Sequence, residues 1–256
     1  RTEDYGTSWV KLTNGLPLGS VNVIIEHPDD PSVLILGTEH AVFVSFNSGE
    51  NWVNFKSNLP TTLYDDMLIH PREKDLVLGT HGRSFWILDD TTPLAEWRHA
   101  TGKSVHVFSV SPTSLFEYWK DTSYRAQEEW AGENRHYGAI ISFVVNANTD
   151  SVMVIVKRRK DEIIRRYNVA VEKGVIQRMV WDLKHSPPSF KKNEKVTEGL
   201  VKPKPEDIFP RPAQSLDPEG PSVSPGVYTV SVIAGDHYSE QSIRVNPDPL
   251  LNIKLG

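Results

Sequence analysis

Two polar stretches decide the fold: TEDYGTSW at Thr2–Trp9 and SFNSGENW at Ser45–Trp52, 43 residues apart. The sequence around them repeats at nearly the same interval, since LILGTEHAVFVSFN at Leu34–Asn47 returns as LVLGTHGRSFWILD at Leu76–Asp89. Short apolar runs that recur about every 40–45 residues between turn residues are typical of four-stranded propeller blades. The first third of the chain is therefore predicted to consist of propeller blades.

The repeat divides into the strands of two blades, one complete and one without its last strand. After the third strand of the second blade, TTPLAEWRHA at 91–100 turns away with no further strand or polar turn motif. Because free sheet edges favour aggregation, we expect a preceding segment of a longer precursor, or another chain, to complete the propeller. The predicted strands are Val21–Glu26, Val33–Leu36, Val42–Phe46 and Trp52–Phe55, then Tyr64–Ile69, Leu76–Leu78 and Ser84–Leu88.

Each polar stretch has the residues of a tight turn that bonds to itself. Its acidic or amide side chain can accept hydrogen bonds from backbone N–H groups, its glycine can adopt a positive φ, and its tryptophan is expected to anchor the next strand. The turns resemble the Asp boxes of sialidase-like, sortilin-type and xyloglucanase-type propellers, although the second copy has asparagine in place of the aspartate. In these families the box is mainly a folding device, so the resemblance implies fold more than activity. The predicted structural residues are Asp4, Gly6, Trp9, Asn47, Gly49 and Trp52.

The second half of the chain has longer strands without this period. Several alternate between apolar and polar residues, as YTVSV does at Tyr228–Val232, and seven strands over about 140 residues indicate an antiparallel β-sandwich. Residues 186–225 hold nine of the 18 prolines and are predicted to be an extended loop. The predicted strands are Val105–Val110, Ala139–Val145, Ser151–Lys157, Glu162–Val169, Val175–Leu183, Gly226–Gly235 and Ser239–Val245.

The predicted fold is all-β, with the last blades of an incomplete Asp-box β-propeller followed by an Ig/fibronectin-III-like β-sandwich. The terminal blades occupy residues 1–95 and a linker occupies 96–135. The sandwich, with its proline-rich loop, follows at 136–249, and residues 250–256 form a C-terminal tail.

Three further motifs resemble segments of one group of proteins. They are GTHGRSFWILDD at 79–90, GENRHYGA at 132–139 and PGVYTVSV at 225–232. Large exported bacterial proteins of the sortilin-like, Asp-box class have similar segments, and continue after the propeller into a sandwich similar to the Ig-like domain of flagellar hook-capping proteins. The resemblance implies a bacterial, extracytoplasmic protein. Members of this group are mostly described as uncharacterised or hydrolase-like.

Composition excludes several classes of function. The net charge of -5 provides no basic excess to neutralise nucleic-acid phosphates, and the chain has no apolar run long enough to span a membrane. The absence of cysteine excludes disulfides and thiolate metal sites. His27 and His70 precede prolines at equivalent strand ends, which marks the repeat and not a ligand pair. Neither a metal nor another cofactor is predicted.

The candidate site residues lie in the connections that share one face of a propeller, opposite the Asp boxes. Acid, imidazole and guanidinium groups that converge there would suit acid–base chemistry or sugar recognition. We prefer the alternative that His81 and Arg83 brace the last blade through backbone carbonyls and Asp89 or Asp90. The candidates for catalysis are Asp65, Asp66 and His81, and those for ligand binding are Glu39, His40, His81 and Arg83.

The sequence favours binding over catalysis. A sialidase-like mechanism would need an arginine triad and a tyrosine nucleophile from several blades, which these two blades do not supply. The leading hypothesis is a non-catalytic, extracytoplasmic scaffold that holds protein or glycan partners, with sheet edges and the proline-rich loop open to strand addition. The alternative is a subunit or fragment of a glycoside hydrolase, sialidase-like or peptide-processing enzyme.

Overall fold

The computed structural model describes residues 1–56, 58–116, 137–159, 162–187 and 220–249. The predicted C-terminal tail, most of the proline-rich loop, the second half of the predicted linker and most of the GENRHYGA motif lie outside the described residues. The described chain is nearly all β, as predicted, with two four-residue helices.

Two antiparallel sheets form the first third of the chain and correspond to two propeller blades. In each sheet, strands that are neighbours in sequence pair with each other. All seven predicted strands are present, and no strand in the described ranges pairs with the last one on its outer side. Blade 1 consists of β1 (Val21–His27), β2 (Asp30–Thr38), β3 (Val42–Ser45) and β4 (Val53–Asn54), and blade 2 of β5 (Tyr64–Ile69), β6 (Leu76–Thr80) and β7 (Phe85–Leu88).

The two blades pack face to face through one shared apolar core. Tyr64 of blade 2 is buried against Ile35 and Val44 of blade 1. The approach is close at Gly37, where a Cβ atom would lie 2.9 Å from both Tyr64 Cβ and Val23 Cγ1. Because complete burial of one apolar side chain contributes about 1.5–3 kcal/mol, this core is what holds the two sheets together.

Two short helices follow β7, where the complete blade has its fourth strand. They are α1 (Thr92–Ala95) and α2 (Trp97–Ala100), and the sequence predicted neither. Leu94 of α1 is buried in the core between the blades. Arg98 of α2 donates from Nε to the Phe46 carbonyl at 2.8 Å. The helices thus carry the chain across the blades and leave β7 as an edge strand.

The rest of the described chain is two sheets packed on one core, as the predicted β-sandwich requires. The strands are β8 (Val105–Val107), β9 (Thr113–Ser114), β10 (Ala139–Val145), β11 (Ser151–Arg159), β12 (Glu162–Ala170), β13 (Ile176–Trp181), β14 (Gly226–Ala234) and β15 (His237–Asn246). The sheet orders are β13-β10-β8 and β12-β11-β14-β15-β9, antiparallel except between β15 and β9. β8 and the unpredicted β9 lie in the segment predicted as a linker. The likeness to Ig-like domains stays a prediction.

Trp181 of β13 lies in the centre of the sandwich core. It is fully buried, and its ring meets Tyr228 edge-on with the centroids 5.1 Å apart. Its Nε1 donates to the Lys184 carbonyl at 3.1 Å, and the Tyr228 hydroxyl donates to the Ser224 carbonyl at 2.5 Å. Both aromatic side chains therefore bury a large apolar surface without leaving a polar atom unpaired.

Arg178 of β13 joins the sandwich to the end of blade 2. Its guanidinium donates from Nη1 to the Asp89 carbonyl at 2.5 Å and from Nη2 to the Asp90 carbonyl at 2.8 Å. We predicted that His81 and Arg83 would brace the last blade through backbone carbonyls and Asp89 or Asp90. The structure shows Arg178 in that role, from a strand nearly 90 residues away in sequence.

Candidate functional site

The first Asp box is held by hydrogen bonds within its own turn. Asp4 Oδ1 accepts from the Thr2 hydroxyl at 2.9 Å and from the Ser8 backbone N–H at 2.9 Å. The Gly6 N–H donates to Thr2 Oγ1 at 2.8 Å, and Gly6 has a φ of 91°. Hydrogen bonds from the Ser8 hydroxyl and backbone, and from Thr2, lower the pKa of Asp4 to about 2. The carboxylate therefore stays ionised at all but strongly acidic pH.

The second box has the same bonds with an uncharged acceptor. Asn47 Oδ1 accepts from the Ser45 hydroxyl at 3.0 Å and from the Asn51 N–H at 3.0 Å. The Gly49 N–H donates to Ser45 Oγ at 2.9 Å, and its φ is 88°. Aspartate and asparagine thus build the same turn, because the turn uses the side-chain oxygen as an acceptor and does not need its charge.

The tryptophans of the two boxes lie in different surroundings. Trp52 is 6% exposed, packs against Leu36 and Phe43, and donates from Nε1 to the Leu12 carbonyl at 3.1 Å. Trp9 is 73% exposed, and its Nε1 donates to the Gly6 carbonyl of its own turn at 3.1 Å. Of the two anchors that we predicted, only Trp52 therefore lies in a core.

Asp65 and His81 meet at the opposite end of blade 2. Asp65 Oδ2 lies 3.5 Å from His81 Nδ1, and the side chains are 54% and 80% exposed. The loop is fixed through its backbone, since the His81 N–H donates to the Leu63 carbonyl at 2.9 Å and the His81 carbonyl accepts from the Thr62 hydroxyl at 3.1 Å. Asp66 accepts from the Met67 N–H at 2.9 Å. Both side chains of the pair are therefore exposed to solvent, and hydrogen bonds fix the backbone of the loop that carries His81.

The other candidate residues lie in loops whose own backbones are held by hydrogen bonds. The His40 N–H donates to Thr38 Oγ1 at 3.2 Å in the β2–β3 loop, beside the half-buried Glu39. In the β6–β7 loop, the Arg83 carbonyl accepts from Trp86 Nε1 at 3.0 Å. The Arg83 side chain is exposed. Across the described ranges, no hydrogen bond or ion pair joins these side chains to the Asp65–His81 pair. The six candidates therefore supply polar groups on adjacent loops without forming one network.

A cleft lies between the sandwich and the ends of the blades that carry Asp29 and Arg72. The cleft has a volume of about 1480 Å³, and none of the six predicted site residues lines it. Four of its charged side chains form two local pairs: Lys74 Nζ lies 2.5 Å from Asp29 Oδ2, and Arg72 Nε lies 2.6 Å from Glu73 Oε1. These pairs are satisfied within the protein.

His27 and His70 serve the turns that follow them. His27 Nδ1 accepts from the Asp29 N–H at 3.1 Å, and His70 Nδ1 accepts from the Glu73 N–H at 3.1 Å. His27 is buried, and its Nε2 lies 3.0 Å from Thr91 Oγ1 at the start of α1. Within the described residues, no group of three or more His, Asp or Glu side chains is placed to hold a metal ion.

Acidification is expected to destabilise the protein through His27. Burial lowers the pKa of this imidazole below its ordinary value of 6.5, so the unfolded chain takes up the proton more readily than the folded chain. The contribution of neutral His27 to the free energy of unfolding is fully present above about pH 6.5. It is lost as the pH falls from there towards the folded-state pKa. The test compares the Tm of the wild type with that of His27→Asn, whose amide oxygen can still accept from the Asp29 N–H. We expect the advantage of the wild type to shrink below about pH 6.5, and an unchanged difference would contradict this role.

The blades, their Asp-box turns and the attached sandwich place the chain in the class of Asp-box propeller proteins. The family model described as Sortilin, neurotensin receptor 3 (Sortilin-Vps10) matches residues 1–175, and the chain belongs to this family. The match covers both blades and continues through β12. No curated protein and no solved structure matches the chain. The sortilin-like part of the predicted resemblance is thereby confirmed. None of the helices in the described ranges is long and apolar enough to cross a membrane.

Proposed function

We propose that the chain is a non-catalytic, extracytoplasmic binding and scaffold module of a bacterium, the C-terminal part of a larger sortilin-like propeller protein. It holds a protein or glycan ligand, and a preceding segment or another chain completes its propeller. The observation that carries the proposal is the exposure of the Asp65–His81 pair, 54% and 80% for the two side chains. Catalytic sites usually exclude water and hold their reacting groups in a concave pocket, whereas an open polar loop face suits recognition.

The proposed ligand surface is the loop face around this pair. Glu39 and Asp65 offer carboxylate acceptors, while His81 and the exposed Arg83 offer donors. Alternating donors and acceptors on one face are what sugar hydroxyls and peptide groups require, and charged groups add orientation and specificity. Hydrogen bonds at the His81 backbone fix the β6–β7 loop, so that this backbone does not have to become ordered on binding, which favours affinity.

Replacing Asp65 and His81 together by alanine is expected to weaken binding and to spare the fold. Both side chains are exposed, so the free energy of unfolding should change by less than about 0.5 kcal/mol. Binding is measured on a glycan array and with a peptide library, and we expect at least about a tenfold loss of affinity. The matched control is Asp236→Ala with His237→Ala, an exposed acid in the turn after β14 and an exposed imidazole at the start of β15.

The same variants test the hydrolase alternative. Glycoside and peptide hydrolysis by the wild type, lost in the Asp65–His81 double variant while its circular dichroism spectrum is unchanged, would overturn the non-catalytic proposal. Loss of folding in that variant would instead show that the pair braces the blade. Asp66→Ala separates the two aspartates, because Asp66 bonds to the Met67 N–H and not to His81.

A further inference from the structure

One side of the five-stranded sheet in the sandwich is turned away from the rest of the described chain. Its inner side packs in the sandwich core, for example through Val154, Val232 and Ile243. The blades lie against the other sheet, whose strand β13 donates from Arg178 to the end of blade 2. We call the solvent-facing side of β12, β11, β14 and β15 the outer face.

The outer face carries unpaired positive charge near the end of β11 and the start of β12. Successive side chains of a strand point to opposite sides, so Arg166 lies on this face opposite Ile155, and Arg244 of β15 lies on it too. Arg158 and Arg159 follow at the end of β11. All four arginines are exposed, and within the described residues no hydrogen bond or ion pair engages their guanidinium groups. They are therefore free to bind an anion.

Acidic side chains offset only part of this charge. The Ser231 hydroxyl donates to Glu240 Oε1 at 2.5 Å, and the same oxygen lies 3.9 Å from Lys157 Nζ. Lys157 and Glu240 thus neutralise each other. Glu162, which lies opposite Arg159, is the other acidic residue of the described chain at this end of the sheet. The arginines exceed it in number, so this end of the face is positive in a chain whose net charge is -5.

An apolar row and a row of hydroxyl groups cross the same face. Met153, Ile233 and Tyr238 lie opposite one another on β11, β14 and β15, and Tyr238 is 69% exposed. Thr229 and Ser242 lie opposite each other between this row and Arg244. Neighbours across a strand pair have Cβ atoms about 4.5–5.5 Å apart. An aromatic ring, hydroxyl groups and guanidinium groups therefore share one nearly flat surface.

We propose that the outer face binds an acidic polysaccharide, a polymer of sugars that carry carboxylate groups. Arginine pairs with a carboxylate through two parallel hydrogen bonds. Thr229 and Ser242 offer donors and acceptors for sugar hydroxyls, and Tyr238 covers the apolar side of a sugar ring. A flat face without a pocket favours a long polymer that repeats the same groups, since many weak contacts add up along it. This surface is additional to the Asp65–His81 loops of blade 2.

Two other anionic partners fit the face less well. An acidic peptide binds β-sheets mainly by adding a strand at a free edge, whereas the arginines and Tyr238 lie on a face. An anionic membrane attracts basic groups through its surface charge, but it gives no role to the hydroxyl groups of Thr229 and Ser242 between the two ends of the face. The polysaccharide uses all three kinds of group.

Binding of polygalacturonate to the complete chain, measured by biolayer interferometry, tests the proposal. We expect binding at about 0.05 M NaCl and at least about tenfold weaker binding at about 0.5 M, because salt screens exposed charges. Arg166→Glu with Arg244→Glu should lower the affinity at least about tenfold and leave the circular dichroism spectrum unchanged. Lys11→Glu with Lys173→Glu is the control, because both lysines are exposed and the net charge changes by the same amount. It should bind as the wild type does.

Tyr238→Ala and three other probes separate a sugar polymer from anions in general. Tyr238→Ala should weaken polygalacturonate binding about twofold to tenfold through the loss of stacking. Polyglutamate, single-stranded DNA and phosphatidylglycerol vesicles should each bind much more weakly than polygalacturonate. Equal binding of any of them, no binding of polygalacturonate, or equal losses in the two charge-reversed variants overturns the proposal.

The loop variant distinguishes this surface from the site proposed above. Asp65→Ala with His81→Ala should bind polygalacturonate as the wild type does, and a loss there would overturn the assignment to the outer face. Conversely, Arg166→Glu with Arg244→Glu should keep the glycan or peptide binding of the loops. A failure of either surface is therefore measured independently of the other.

Discussion

Trp52→Ala is expected to lower the free energy of unfolding by about 3–5 kcal/mol, and Trp9→Ala by less than about 0.5 kcal/mol. The two tryptophans hold the same position in two copies of one motif, so the substitutions are chemically identical. They differ in burial, since Trp52 is 6% and Trp9 73% exposed. Truncation of Trp52 leaves a cavity beside Phe43 and removes the donor that pairs the Leu12 carbonyl.

The comparison is made by urea unfolding of the wild type and both variants at two protein concentrations, since a dependence on concentration would reveal any contribution of self-association to the measured stability. Equal losses for both tryptophans would show that the first box already lies in a core. That result would contradict the structure.

Most strands of the blades could be predicted from the sequence because they are short and are bounded by residues that stop them. β2 is the exception, since it spans Asp30–Thr38 and includes Pro31, where we predicted Val33–Leu36. β5 begins and ends where the period predicts, at Tyr64–Ile69, and β1 continues by one residue to His27. Pro28 and Pro71 follow these ends, and proline cannot donate a ladder hydrogen bond. The 43-residue repeat then carries the assignment from one blade to the next.

Tertiary features without a local signal were missed. Helices of four residues, such as α1 and α2, are too short to show a periodic pattern. The exposure of Trp9 was not predicted either. Trp9 and Trp52 hold the same position in two copies of one motif, and only the packing of neighbouring segments distinguishes them. Arg178 gave one weak signal, as a charged residue in the otherwise mostly apolar stretch VIQRMVW at 175–181.

The candidate site could be predicted in its placement but not in its exposure. Asp65 is the extra residue at the irregularity between Tyr64 and Asp66, and His81 directly follows Thr80, the partner of Tyr64 in the antiparallel β5–β6 pair. That both residues lie at this end of the pair follows from strand order, which the repeat contains. Exposure depends on what packs over the loops, and this is a property of the tertiary structure that no single motif encodes.

Gly138→Ala is expected to lower the free energy of unfolding by about 2–5 kcal/mol, since it combines backbone strain with overpacking. Gly138 has a φ of 131°, and an added Cβ would overlap the Trp181 carbonyl and lie 2.8 Å from Val180 Cγ1. Its neighbour Ala139 pairs directly with Trp181. The methyl group would therefore push β10 away from β13 beside the tryptophan at the centre of the sandwich core.

Gly102→Ala is the matched control for this substitution. Gly102 also has a positive φ, 80°, but an added Cβ there meets no atom within 4 Å, so it should cost only the backbone term of about 1–2 kcal/mol. The difference between the two variants in urea unfolding measures the steric part alone. If both lose the same free energy, β10 and β13 are not as close as the structure places them, and the sandwich would have to be paired differently at this edge.

If Gly138→Ala also lowers the binding measured at the Asp65–His81 loops, the sandwich and blades are coupled, and Arg178 on β13 is the residue through which displacement of that strand would reach blade 2.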